Sequence, residues 1–574
     1  MRATRLAVSI AVALTVGFIG CAQRSAEEAR DQDGPVPREL AAQPAVGASM
    51  PQRARKSEAD VHLPRLEMKA IAPPASPPVM AEALPYDAAN TENYAAVDDN
   101  GVMRAAESPV STFSIDVDTG AYSNVRRMLV QGQLPPADAV RTEEFVNYFD
   151  YGYEAPRSAA TPFAVHTEIA PAPWNRDRHL LLVGIKGYEV DAAAIPASNL
   201  VFLVDTSGSM HDANKLPLVK ESLKALVARL RPQDRISLVV YAGSAGLVLP
   251  PTSGADKATI VAALDALEAG GSTNGGEGIA LAYAMAERAY IRGGVNRVIL
   301  ASDGDFNVGT TSVEALKSMV ADKREGGIAL TTLGFGMGNY NDEMAEQLAD
   351  AGNGNHAYVD TLREANKVLV EELSSTMLTI AQDVKIQVEF NPAQVAEYRL
   401  IGYENRMLRR EDFANDRIDA GEIGAGHDVT ALYELTLVGS PALRIEPLRY
   451  AAPAGGAEAP TAATLASAEL AHLRLRYKFP GERTSRLIER PLDRDEIQPH
   501  PGPRLQLAAA VAGFAESLRG GAQLGTFDLA DVSMLARGVS LPDPFGYRAE
   551  LVELIERAAA MKSPAPVAEV AIAR

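Results

Sequence analysis

Residues 199–210 read Asn-Leu-Val-Phe-Leu-Val-Asp-Thr-Ser-Gly-Ser-Met. The apolar run 200–204 has no polar break, the pattern of a strand buried on both faces at the centre of a parallel sheet. Its first polar groups, Asp205, Ser207 and Ser209, then fall at the strand's carboxyl end, where open α/β sheets bind ligands. One carboxylate and two hydroxyls in a single turn are hard oxygen donors. That set suits Mg2+, and also Mn2+ or Ca2+, but a turn alone cannot fill about six positions.

Two other segments offer the missing oxygens. Gly270-Gly-Ser-Thr-Asn-Gly275 precedes a helical stretch and presents Thr273 near a helix N-terminus. Residues 298–304, Val-Ile-Leu-Ala-Ser-Asp-Gly, repeat the arrangement of a buried strand followed by an acid, Asp303. Taken together, Asp205-Thr-Ser-Gly-Ser209, Thr273 and Asp303 resemble the metal-ion-dependent adhesion site of the von Willebrand factor type A domain. The resemblance implies that Ser207, Ser209 and Thr273 ligate the ion directly, and that Asp205 and Asp303 approach it directly or through water. It also implies a partner protein whose Asp or Glu carboxylate completes the coordination. Helix capping or turn formation accounts for any one of these residues singly, but not for two acids and three hydroxyls gathered at strand ends. Asp212 and Asp305 read as neighbouring acids rather than ligands.

Outward from this centre, strands and helices alternate. Strands are expected near 200–204, 236–241, 245–249, 296–301, 328–335 and 356–359, and helices over 216–230, 256–267, 277–290, 312–324, 341–351 and 361–378. That order specifies a doubly wound sheet, its last helix long enough to join it rigidly to the strands C-terminal to it. Gly334, Gly336 and Gly338 fall at another strand's carboxyl end, as a loop beside the ion or as a plain tight turn.

Alternating runs flank this region at 111–117, 163–169 and 179–187 before it, and at 382–390, 394–401, 428–438 and 471–478 after it. The economical architecture is α/β: a doubly wound type A domain inserted in an antiparallel β-sandwich, with a C-terminal helical module. Helices are expected at 121–131 and 141–149, and again at 504–519 and 547–559, where Leu505, Leu507, Val511, Phe514 and Leu518 share one face. Residues 439–468 read as an exposed loop. Asp118-Thr-Gly120 matches the aspartic-protease triplet, but no convincing second triplet accompanies it. The segment instead resembles the region that precedes the type A domain in a group of bacterial lipoproteins, and the C-terminal helices resemble that group's last module.

The chain has 574 residues, enough for two to four domains, and a formal charge of −19 that argues against a nucleic-acid partner. Its sole cysteine is Cys21. Arg2 and Arg5, an apolar segment at 6–19 and Gly20 before Cys21 have the form of an export signal, too short to span a bilayer comfortably. Phe18-Ile-Gly-Cys21 resembles the bacterial lipoprotein signal, with Phe18 where leucine is usual. The resemblance implies a lipidated, palmitate-bearing Cys21, and Ala22 after it favours the periplasmic face of the outer membrane. The divisions expected are the signal at 1–20, a lipidated and disordered tether at 21–100, an N-terminal module with the first sandwich strands at 101–197, the type A domain at 198–378, the remaining sandwich at 379–490, and the helical module and tail at 491–574. The basic cluster Arg53-Ala-Arg-Lys56 lies in the tether as a solvated face.

The function expected is a membrane-anchored cell-envelope protein that binds a partner protein through Mg2+, in adhesion or scaffolding, and not an enzyme. A metal-assisted hydrolase is the alternative, disfavoured because 205–212 and 270–277 carry no Lys or Arg for a phosphate and because His211 belongs to no nucleophile–base pair. An accessory subunit of a membrane transport complex is a third reading.

Overall fold

The computed structural model describes residues 91–562, apart from 97, 192–193, 273–274, 305–311, 373–374, 376 and 447–467. Cys21, the export signal, the tether as far as residue 90, Thr273, Asp305, most of the 439–468 loop and the tail from 563 lie outside the described residues.

The chain first forms β1 (Met103–Arg104), β2 (Val110–Ser114), α1 (Gly120–Val130), α2 (Thr142–Asn147), β3 (Phe163–Ala172) and β4 (Asn175–Gly187). The central region comes next with β5 (Ser198–Asp205), α3 (Leu216–Arg229), β6 (Arg235–Tyr241), β7 (Ala245–Ser253), α4 (Lys257–Asp265), α5 (Gly275–Arg288), β8 (Val295–Ser302), α6 (Val313–Glu325), β9 (Ala329–Phe335), α7 (Asp342–Ala351), β10 (His356–Val359) and α8 (Leu362–Asn366). The chain ends with β11 (Thr379–Phe390), β12 (Val395–Ile401), β13 (Ile423–Gly424), β14 (Asp428–Leu437), β15 (Glu469–Lys478), β16 (Arg486–Asp493), α9 (Pro503–Leu518), α10 (Leu529–Arg537) and α11 (Tyr547–Lys562).

The central sheet has the order β10-β9-β8-β5-β6-β7, parallel except for β7. Every residue of β5 is buried, because helices cover both faces. Strand alternation sends Leu200, Phe202 and Val204 into one core with Leu223, Leu226 and Ile260, and Val201 and Leu203 into the other with Ile279, Tyr283 and Leu348. The doubly wound domain expected from the apolar run is therefore present.

The flanking strands make two sheets, one ordered β1-β12-β14-β4-β3 and the other β13-β11-β15-β16 with β2 also on β11. Phe113, Ile169, Leu181, Ile386, Val429, Tyr433 and Leu473 fill the space between them. Strands from both sides of the central domain contribute to each sheet, so the domain is inserted in an antiparallel sandwich. The opposite face of the first sheet presents Leu180, Leu182 and Leu432 to a layer made of α1, α2, α9, α10 and α11. The C-terminal helices thus share one core with the N-terminal ones.

Three local readings change. The helix expected over 361–378 is not one unbroken α-helix: α8 passes into a π turn over Lys367–Glu371 and a bend at Glu372, and Ser375 and Met377 are helical again. Helix α9 is buried on nearly every side rather than on one face, since Ala508, Ala509, Ala510 and Ala512 let neighbours close in all round. Helix α10 and strand β16 were not anticipated; β16 is exposed at four of eight positions and carries Pro491.

Candidate metal centre

Strand β5 delivers Asp205 to the carboxyl end of the central sheet, fully buried. Its Oδ1 accepts the Ser207 N–H at 2.8 Å and its Oδ2 accepts the Ser302 hydroxyl at 3.3 Å. Burial pushes its pKa up to about 6, against the hydrogen bonds from Ser207. A carboxylate so desolvated is a group that an adjacent cation would hold in its charged form. The Ser207 and Ser209 hydroxyls lie 3.0 Å apart. The segment leading to Thr273 is tied to this turn, with Gly208 N–H donating to Gly271 O at 3.0 Å and Gly270 N–H to Thr206 O at 2.8 Å.

Asp303 sits at the end of β8, also fully buried. The Lys215 ammonium donates to its Oδ2 at 2.8 Å, and Asn339 Nδ2 donates to the same oxygen at 3.1 Å. Lys215 also donates to Asn339 Oδ1 at 3.0 Å, closing a three-residue knot. Two glycines make it possible. Gly336 has φ +77°, and a Cβ there would overlap the methylenes of Lys215. Gly304 has φ +85°, and a Cβ there would overlap Asn341 N and Tyr340 Cα. The Gly336-x-Gly338 loop, read as a loop beside the ion or as a tight turn, thus packs against Lys215 and forms the floor beneath the Lys215–Asp303 pair.

The donor set fits a small divalent cation. Neighbouring ligands of an octahedron with bonds of about 2.0–2.1 Å stand about 2.9 Å apart, and the two serine hydroxyls, hydrogen-bonded to each other at 3.0 Å, are close enough to serve as such neighbours. Among the described residues no group of three or more His, Cys, Asp or Glu is arranged to hold a metal. The site at the ends of β5 and β8 has only two acids and relies on hydroxyls. His211 and Asp212 are exposed on the turn after β5, and Glu277 is exposed at the start of α5.

Sequence reasoning missed Lys215 and Asn339. Lys215 stands only three residues past the stretch read as free of basic groups, yet it reaches the centre of the site. Asp303 neutralises it, so it is no free phosphate ligand. Asp118, of the Asp-Thr-Gly triplet, and Asp116 before it lie together in an ion-pair cluster. Their carboxylates meet Arg406 at 3.3 and 3.8 Å, and Arg406 also binds Glu346 at 3.3 Å and Asp350 at 2.8 Å, fastening sandwich to central domain.

Three family models match the chain: von Willebrand factor over residues 88–182, von Willebrand factor type A domain over 199–372, and Uncharacterized protein YfbK, C-terminal, over 375–561. Uncharacterized protein YfbK of Escherichia coli (strain K12) is 49% identical over 474 residues, 82% of this chain and 81% of that protein. Inter-alpha-trypsin inhibitor heavy chain H4 of Homo sapiens is 31% identical over 148 residues, 24% of this chain and 16% of that one. Among solved structures, von Willebrand factor type A from Catenulispora acidiphila covers 73% of this chain and 99% of its own at 16% identity, with a TM-score of 0.37, too loose a likeness to argue from.

Proposed function

We propose, from the premise that this chain belongs to the family of the bacterial protein YfbK and carries a von Willebrand factor type A domain, that it binds a partner protein through a divalent ion held by Asp205, Ser207, Ser209, Thr273 and Asp303. The observation that carries this reading is the 3.0 Å spacing of the Ser207 and Ser209 hydroxyls beside the buried Asp205. Neutral hydroxyls leave the ion short of negative charge, so a partner's Asp or Glu completes its shell better than water does. Mg2+ is the ion proposed, and the role is adhesion or scaffolding rather than catalysis.

Calorimetry tests the ion: Mg2+ binds wild type with one-to-one stoichiometry and does not bind Asp205→Ala. A well-folded wild type that takes up no divalent ion sinks the reading. Affinity capture from solubilised membranes, with and without chelator, then identifies the partner, and Thr273→Ala weakens its binding. Hydrolase activity lost in Asp205→Ala would put catalysis ahead of adhesion.

We propose also that Cys21 is lipidated and holds the protein at the periplasmic face of the outer membrane. Among the described residues no helix is long and apolar enough to cross a membrane. Cys21→Ser is expected to abolish palmitate incorporation and move the protein from the membrane to the soluble fraction; palmitate incorporation unchanged in the variant would refute the anchor.

A further inference from the structure

Residues 91–94 lie along the loop 336–341 that floors the site. Thr91 N–H donates to Gly338 O at 2.8 Å, Asn93 N–H to Tyr340 O at 2.9 Å, and Asp342 N–H to Asn93 O at 3.2 Å. The Glu92 side chain, 2% exposed, turns the other way. Its Oε1 accepts the Gly338 N–H at 2.8 Å, while its Oε2 accepts from Arg127 Nη2 at 2.9 Å and from Tyr94 Oη at 2.8 Å. Asn124 Nδ2 in turn donates to Tyr94 Oη at 2.8 Å, so α1 backs the whole strap.

Both polar groups of the Gly338 backbone are thus held by the strap. Gly338 has φ +92° and follows Gly336 by two residues, a stretch with wide conformational freedom when nothing pins it. The next residue is Asn339, whose side chain meets both Asp303 and Lys215. Among the described residues, only the strap holds the peptide that aims Asn339.

We infer that Glu92 is a positioning residue of the metal site: it locks Gly338, which aims Asn339 at Asp303 and sets the carboxylate for the ion. The inference rests on the metal reading proposed above. It also gives the end of the N-terminal segment a role beyond spacing, because anything that pulls the strap off its loop loosens the site.

The test uses the full chain with Glu92→Ala, read by amide exchange and by Mg2+ calorimetry. Asp528→Ala, which removes the N-cap of α10, serves as a control. Losing a charge-assisted hydrogen bond should speed exchange at Gly338 and Asp342, whose N–H groups the strap holds, and weaken Mg2+ binding roughly ten-fold. The control is expected to leave Mg2+ affinity unchanged. Faster loop exchange with unaltered Mg2+ affinity, or loop exchange that does not change, overturns the inference while the metal reading stands. If wild type binds no Mg2+, the metal reading fails alone. Exchange at Gly304, beside Asp303, then decides: acceleration in Glu92→Ala upholds the positioning of Asp303, and no change overturns it.

Discussion

Lys215 and Asp303 form a buried ion pair at 2.8 Å, with side chains 6% and 0% exposed. The ammonium places a positive charge directly against the Asp303 carboxylate. Replacing it with Met removes one partner of a buried ion pair, which costs about 3–5 kcal/mol. Mg2+ held as proposed above would put positive charge back beside Asp303. The rise in melting temperature on going from chelator to Mg2+ is therefore expected to be larger in Lys215→Met than in wild type. Equal shifts in the two proteins would mean that Lys215 and the ion do not share Asp303.

Gly304 packs on the backbone of Tyr340 and Asn341 at φ +85°. Gly304→Ala adds a Cβ where there is no room and strains the left-handed backbone, for about 1–3 kcal/mol of lost stability. Gly132, also at positive φ, faces open space. Gly132→Ala is expected to lower stability less and to leave Mg2+ binding alone, whereas Gly304→Ala weakens it. Thermal melts and calorimetry on the two variants separate steric from purely conformational cost.

Arg126 joins three parts of the molecule. From α1 its guanidinium reaches Asp360 at 2.5 Å and Glu364 at 2.7 Å in the central domain and Glu550 at 3.1 Å in α11. Arg126→Met strands buried acids and is expected to cost about 3–5 kcal/mol. Denaturant unfolding of the variant should show the C-terminal helices becoming protease-sensitive before the central sheet unfolds. Simultaneous loss would mean that the shared apolar core, rather than Arg126, holds the helices down.

Glu92 supplies a pH dependence with a defined sign. Burial alone would raise its pKa, but the Gly338 N–H, the Arg127 charge and the Tyr94 hydroxyl bring it below the ordinary 4.5. An acid whose pKa is lowered on folding stabilises the fold fully above its unfolded value and loses that contribution as pH falls through the folded value. The stability difference between wild type and Glu92→Gln is therefore expected to be constant above about pH 5 and to shrink below about pH 4.5. Denaturant melts across pH 3–7 measure it. A difference that grows on acidification would contradict this account.

The positions of Asp205, Ser207, Ser209 and Asp303 were legible because an unbroken apolar strand can end only at a sheet edge, and a parallel sheet sets which edge. The sandwich was legible from period-two runs on both sides of the insertion. Leu181 facing inward between Leu180 and Leu182 facing the helices is that period seen in three dimensions. Lys215, Asn339 and Glu92 left no comparable trace. Each acts through contacts made across the fold, and nothing in a local pattern marks a lysine at a helix start as the partner of an acid 88 residues away. The signal nearest to it was the spacing of Gly334, Gly336 and Gly338, read as a loop beside the ion or a plain tight turn, which says nothing of the lysine packed on Gly336. Residues 91–94, at the end of the segment read as tether, belong with these: few apolar groups, but a dense set of hydrogen bonds to the metal-site loop.

The insertion also bears on how the chain acquires its structure. Strand β4 cannot pair with β14, nor β2 with β11, until the whole central domain has been made, since Lys186 lies opposite Asp428 and Phe113 opposite Ile386. Closing so long a loop in a disordered chain is entropically costly and slow. Ser198 and Met377, at the two ends of the central domain, line one cleft. Once that domain has folded, the distant strands leave it side by side and the closure becomes short. The expected order of events then runs from the inside outward: the central domain collapses first, the sandwich zips up around its exits, and the helical layer, which needs α1 and α2 as well as α9 to α11, is sealed last; pulse-labelling exchange in which β4 and β14 amides gain protection before those of β5 would contradict it.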